Sequence, residues 1–195
     1  MQKVKNTIPV YDICSLCGHD HINHELIAEP FAEYLKVHPN LHRPHRHSFY
    51  HMVLFTRGAG YHTIDFQRFD VLPGQVYFMI PGQVHSWAFD GPVDGYIINC
   101  SPDLFRGFLV NEQYPEQYPF FGGVASDSVY QLAGQAFEGA ERLFASIITE
   151  VHHRDARSPD AIRAALIALF VTVARSNPQQ QVHAPQQNQL VLQNF

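Results

Sequence analysis

The sequence predicts a mainly β fold, a double-stranded β-barrel of jelly-roll type followed by two C-terminal α-helices, and three observations carry that expectation. Between about residues 40 and 100, short β-branched and aromatic runs recur at roughly ten-residue spacing, bounded by Gly and Pro. From about residue 127 the apolar period lengthens to the three- and four-residue steps of helices. A polar run rich in Gln and Pro then ends the pattern.

Residues 1 to about 40 read as an irregular lead-in punctuated by Pro9, Gly18, Pro30 and Pro39, with at most a short helix over Ala28–Leu35. The predicted strands are His45–Thr56, Tyr61–Asp65, Gln75–Ile80, His85–Phe89 and Tyr96–Cys100. Gly58-x-Gly60 joins two of them and reads as a hairpin turn, because it opens no helix and so lacks the context of a phosphate loop. The helices are expected at about 127–153, with Val129, Leu132, Ala136, Ala140, Leu143 and Ile147 on one stripe, and at 158–176. In the second, Ser158 is the expected N-cap, Pro159 suits the first turn, and Ile162, Leu166, Leu169, Phe170 and Val173 form the stripe. Residues 1–177 thus make one domain, and 178–195 make a linker with too little apolar surface to repay ordering.

Composition excludes several functions. The 13 Lys and Arg stand against 18 Asp and Glu, a formal charge of −5 with no basic cluster, so these residues are not expected to hold a phosphate backbone themselves. Three cysteines, Cys14, Cys17 and Cys100, make no paired disulfide framework and suit a reducing compartment. No apolar run reaches membrane-spanning length and no signal-peptide core follows Met1, so the expected location is cytoplasmic, without membrane contact. Cys14-x-x-Cys17-Gly-His19-Asp-His21-x-x-His24 concentrates potential zinc ligands, but its spacing is too compressed for two knuckles, and free thiols with surface histidines are the simpler reading.

The informative segment is Pro44-His45-Arg46-His47-Ser48-Phe49-Tyr50-His51, followed by Gly58 and later by Gly74 through Pro81-Gly82-Gln83-Val84-His85. Strand alternation puts His45, His47 and His51 on one face with Phe49, Val53 and Phe55. His85 arrives from a later strand to complete a four-imidazole set on an otherwise apolar, inward face. Imidazole suits a divalent transition metal, Zn or Ni, better than Mg or Ca, so His45, His47, His51 and His85 are candidate ligands. The other reading of the same residues is a polar pocket lining without an ion.

These two motifs resemble those of cupins, in which His-x-His is followed by a Glu and then a Gly, and a Gly leads through a Pro-Gly element to another His. Here His51 stands in the place of the Glu, and the proline is shifted by one position. The wider wording, HRHSFYHMVLFTRGAGYHTIDF, IPGQVHSW and DGYIINCSPDLF, resembles the N-terminal effector-binding and dimerisation domain of AraC-type transcription regulators over about residues 40 to 175. That resemblance implies a ligand-sensing homodimer without catalytic residues. The resemblance places His85 and Trp87 in the effector pocket, and a stacking aromatic beside the imidazoles of the same face, with His45, His47, Phe49 and His51 completing the set, would suit a sugar, a polyol or an aromatic acid. It also implies that DNA is reached only through an absent C-terminal helix-turn-helix domain beyond the linker. The alternative is a stand-alone metal-dependent cupin enzyme, an isomerase or oxygenase, using the four histidines.

Overall fold

The protein is described by a computed structural model over residues 8–16, 25–106, 109 and 114–177. Two five-stranded sheets face each other. The first contains, in spatial order, β1 (Val10–Tyr11), β3 (His45–His47), β8 (Val84–Phe89), β5 (Gly60–Ile64) and β6 (Gln67–Asp70). The second contains β10 (Val129–Gln131), β7 (Gln75–Met79), β4 (Tyr50–Arg57), β9 (Asp94–Cys100) and β2 (Leu26–Pro30). Between β2 and β3 lies the short helix α2 (Phe31–Val37), preceded near the N-terminus by α1 (Ile13–Leu16). The chain ends its described part in α3 (Gly134–His153) and α4 (Ser158–Ser176). This is the mainly β, cupin-like barrel with two C-terminal helices that the sequence predicts.

The second sheet is buried on both faces, and strand alternation assigns each side chain to one of two cores. Val53 and Phe55 of β4, Tyr77 and Met79 of β7 and Ile97 of β9 point into the barrel with Phe49 and Trp87. Tyr50, Met52 and Leu54, Val76 and Phe78, and Ile98 and Cys100 point outward, where Phe144, Ile147, Leu166, Leu169, Phe170 and Val173 of the helices cover them. Each such side chain, fully buried, contributes about 1.5–3 kcal/mol of transfer free energy. The helices therefore seal the back of the sheet that forms one wall of the barrel. Among the described residues, no helix is long and apolar enough to cross a membrane.

Several local expectations change. The run His45–Thr56 is two strands: the backbone bends at Ser48-Phe49, where Ser48 N donates to Tyr11 O at 3.0 Å, and the chain passes from the first sheet to the second. Gly58-x-Gly60 is likewise no hairpin, because β4 and β5 belong to different sheets. Gly60 has φ +124, and a Cβ there would collide with the Ala88 carbonyl, so the crossover needs glycine. Gly95 meets the same restriction against the Leu54 carbonyl, beside the register slip between Phe55 and Arg57.

The first long helix begins at Gly134, later than 127, because Val129–Gln131 pairs with β7 and Leu132 N donates to Gly74 O at 2.8 Å. Ser158 opens α4 without capping it. Asp155 Oδ1 accepts from the N–H of Arg157 at 2.6 Å and of Ser158 at 2.9 Å, while the Ser158 hydroxyl donates to Glu150 at 2.9 Å. The linker 178–195 and Cys17, His19, His21 and His24 lie outside the described residues.

Candidate functional site

The barrel interior collects five imidazoles, His45, His47, His51, His62 and His85, each at most 2% exposed. Pairing explains their convergence. His45 on β3 stands directly opposite His85 on β8. On the other flank of β8, His62 of β5 pairs with Trp87 and Ile64 pairs with His85. Directly opposed residues share a face, so all of these point inward. His51 comes from the other wall, where it opposes Asn99 on β9 and Met79 on β7. The bend at Ser48-Phe49 changes the sheet without changing the inward direction, and His47 and His51 stack with ring centroids 5.0 Å apart.

Of the residues singled out in the sequence, His45, His47 and His85 form the tight group, with ligand nitrogens all within 4.8 Å of one another. His51 is adjacent to that group but outside it: its Nδ1 is 2.7 Å from Asn99 Oδ1, and its ring centroid is 4.9 Å from that of His85. Phe49 lies 4.4 Å from His47 between ring centroids, and Trp87 lies 4.8 Å from His85 in an edge arrangement. His62 was missed because no motif marks it. The signal was the alternation of the predicted strand Tyr61–Asp65, which places His62 in phase with Ile64 on the apolar face.

Proton bookkeeping tests whether a metal suits this group. His45 Nδ1 is 2.7 Å from the Arg43 carbonyl oxygen, which can only accept, so Nδ1 carries the proton and Nε2 presents a lone pair. His47 Nε2 lies 3.1 Å from that atom and 2.7 Å from His85 Nε2. An imidazole nitrogen has a single in-plane site for a proton or a lone pair, so it cannot satisfy both neighbours with linear hydrogen bonds. A cation placed among three lone pairs removes the conflict. Zinc–imidazole bonds of about 2.0–2.1 Å in a tetrahedron imply nitrogen–nitrogen edges of about 3.4 Å, so the His45–His47 and His47–His85 contacts would open by about 0.3 and 0.7 Å while the third edge, within 4.8 Å, settles to the same length. His45, His47 and His85 therefore fit a metal ion.

Electrostatics act in the same direction. Burial lowers the pKa of His45, and burial reinforced by the neighbouring imidazoles holds His47, His62 and His85 well below 6.5. Burial pulls His51 to about 3, against a smaller opposing effect of Asn99. The rings are neutral at pH 7 and offer lone pairs. His47 Nδ1, His51 Nε2, His62 Nδ1 and Trp87 Nε1 are buried with no hydrogen-bond partner among the described residues. Unpaired polar atoms of this kind each cost about 1–3 kcal/mol and are uncommon without a functional reason.

A cavity of about 600 Å³ is lined by His45 together with Ile8, Pro9, Tyr11, Asn40, Arg43 and Pro44, where the lead-in meets the start of β3. Tyr11 sets its ring edge-on to His45 at 5.5 Å. Another cavity, of about 380 Å³, lies at the α3–α4 turn near Arg154 and Arg163 and contains none of the imidazoles.

Comparison with known proteins bears on this site. Residues 33–169 match the family described as the AraC-like ligand binding domain. Among solved structures, the AraC-like transcriptional activator CuxR is similar with a TM-score of 0.47 at 12% identity, over 77% of this chain and 49% of that one. Oxalate decarboxylase from Bacillus subtilis gives a TM-score of 0.28 at 15% identity, over 57% of this chain and 39% of that one. The chain thus spans about half the length of the activator. No curated protein matches it.

Proposed function

We propose that this chain, which belongs to the AraC-like ligand-binding domain family, senses a small molecule at the mouth and interior of its barrel and transmits binding to a tethered DNA-binding domain. The observation that carries this reading is the set of buried, unsatisfied ring nitrogens in the imidazole cluster, whose member His45 lines the cavity of about 600 Å³. His45, His47 and His85 would hold a divalent transition metal, Zn or Ni, whose chemistry there is that of a Lewis acid binding one oxygen donor of the effector. His51 Nε2 and the Trp87 N–H supply an acceptor and a donor beside it, and Phe49 an apolar wall.

Among the classes expected from sequence, an aromatic acid is favoured over a sugar or polyol. No Asp or Glu is among the buried residues described, so hydroxyl donors would lack carboxylate acceptors, whereas Arg43 at the cavity attracts an anion. The buried residues described include no carboxylate acid or base beside the imidazoles, which favours the sensor reading over the enzyme alternative.

Charge and topology support the rest. A formal charge of −5 without a basic cluster supports a reading in which DNA contact falls to another domain, joined through the polar run 178–189, in a cytoplasmic regulator. Dimerisation would use the outer faces of α3 and α4, because the inner faces are consumed by the sheet.

The test is thermal unfolding of protein purified without an affinity tag, combined with metal analysis. Zinc or nickel, and then benzoate on the loaded protein, are expected to raise the Tm. At 100-fold excess over Kd, ligand linkage supplies about 2.7 kcal/mol. A Tm unmoved by metal, by benzoate and by a panel of sugars and polyols refutes the reading.

A further inference from the structure

The interior imidazole that no motif announces, His62, is placed to act on another one. Its Nε2 lies 2.9 Å from Nδ1 of His85, and both rings are at most 1% exposed. The opposite nitrogen of His85 is the one that faces His47, at 2.7 Å. His85 therefore stands between the candidate metal group and His62, and its single proton must sit on one side or the other. His62 in turn is held by packing: its ring meets Tyr77 edge-on at 4.7 Å and lies 5.6 Å from Trp87. Tyr77 is itself fixed, donating to Gln75 Oε1 at 2.7 Å and to the Asp70 carbonyl at 3.0 Å.

We infer that His62 is a positioning residue for His85, accepting the Nδ1 proton so that the Nε2 lone pair of His85 is presented to the metal group. The inference rests on the metal reading given above. Two observations carry it. His62 Nε2 faces His85 Nδ1 at hydrogen-bond distance, so an acceptor there holds the His85 proton on Nδ1 and frees Nε2. When His62 Nε2 accepts, its own proton lies on Nδ1, which is the atom left buried without a partner among the described residues. That orphan is a cost to stability that Phe or Leu in the same strand position would not carry, so packing alone does not explain an imidazole there. Partners of this kind fix ring orientation and raise ligand basicity, and their loss weakens metal binding by roughly 10–100-fold.

The experiment compares the wild-type chain with His62→Phe and His62→Gln, the latter retaining an acceptor. Zinc affinity is measured by competition with a colorimetric chelator, and nitrogen-15 NMR reads the tautomer of His85 in the metal-free proteins. The expected results are Nδ1–H on His85 in the wild type, an affinity lowered roughly 10–100-fold in His62→Phe, and recovery toward wild type in His62→Gln. An unchanged affinity in His62→Phe overturns the role of His62 while leaving the metal site standing. Wild-type protein that binds no zinc refutes the metal reading itself. Should His62→Phe fail to fold, the wild-type spectrum decides, since a proton on Nε2 of His85 overturns the inference.

Discussion

Acidifying the metal-free protein from pH 7.5 to pH 5.0 is expected to destabilise it through the barrel imidazoles. In the unfolded chain each titrates near 6.5, whereas burial keeps all five below that value in the folded state. The unfolded state thus binds more protons as pH falls, so the stabilising contribution is complete above about 6.5 and is lost on the way down to the folded pKa. For His51, at about 3 in the folded protein, the loss at pH 5.0 is about 2 kcal/mol, from about 1.5 units of separation at about 1.4 kcal/mol each. The other four act with the same sign. Against a typical total of about 5–15 kcal/mol, that is a large fraction. Most Asp and Glu remain ionised at pH 5.0, which isolates the imidazoles. Urea unfolding with a chelator present can be followed by the fluorescence of Trp87, the single tryptophan, which is 3% exposed among these rings. His51→Leu should shrink the difference between the two pH values by about 2 kcal/mol. Equal midpoints at both pH values, or a difference untouched by His51→Leu, would refute the argument.

Two further outcomes follow from local geometry. Phe66→Gly is expected to raise the Tm, because Phe66 sits at φ +72 in the two-residue turn between β5 and β6 and is 89% exposed, so strain of about 1–3 kcal/mol is relieved with little packing lost; a lowered Tm would count against the strain. Leu166→Glu and Leu169→Glu are expected to unfold the domain, since both side chains are 0% exposed against the sheet. Ala168→Glu, on the exposed face of α4, should fold normally and give a monomer by sedimentation if that face is the dimer contact; a folded Leu166→Glu protein, or a dimeric Ala168→Glu protein, would contradict this placement.

What the sequence showed and what it hid have physical reasons. Strand alternation and cross-strand direction are local properties, so the inward phase of His45, His47, His51 and His85 was legible from spacing alone. So was the stripe of the second helix, since Ile162, Leu166, Leu169, Phe170 and Val173 all lie in the core, whereas Val129 of the first stripe went to a strand instead. Sheet membership is not local. The bend at Ser48-Phe49 and the crossover at Gly58–Gly60 are set by which strand accepts the next hydrogen bond, and Ser48 answers to Tyr11, far away in sequence. Strands β1, β2, β6 and β10 were missed for the same reason: they are short, and partners rather than composition make them strands. The turn at Asp65-Phe66 lacked the Asn-Gly signal because tertiary bonds hold it instead, with Asp65 accepting from Val84 N and from Gln83. The candidate site divides along the same line. Residues that supply inward nitrogens could be read from spacing, whereas Asn99 and His62, which decide where the protons sit, became visible only when strands distant in sequence were placed side by side.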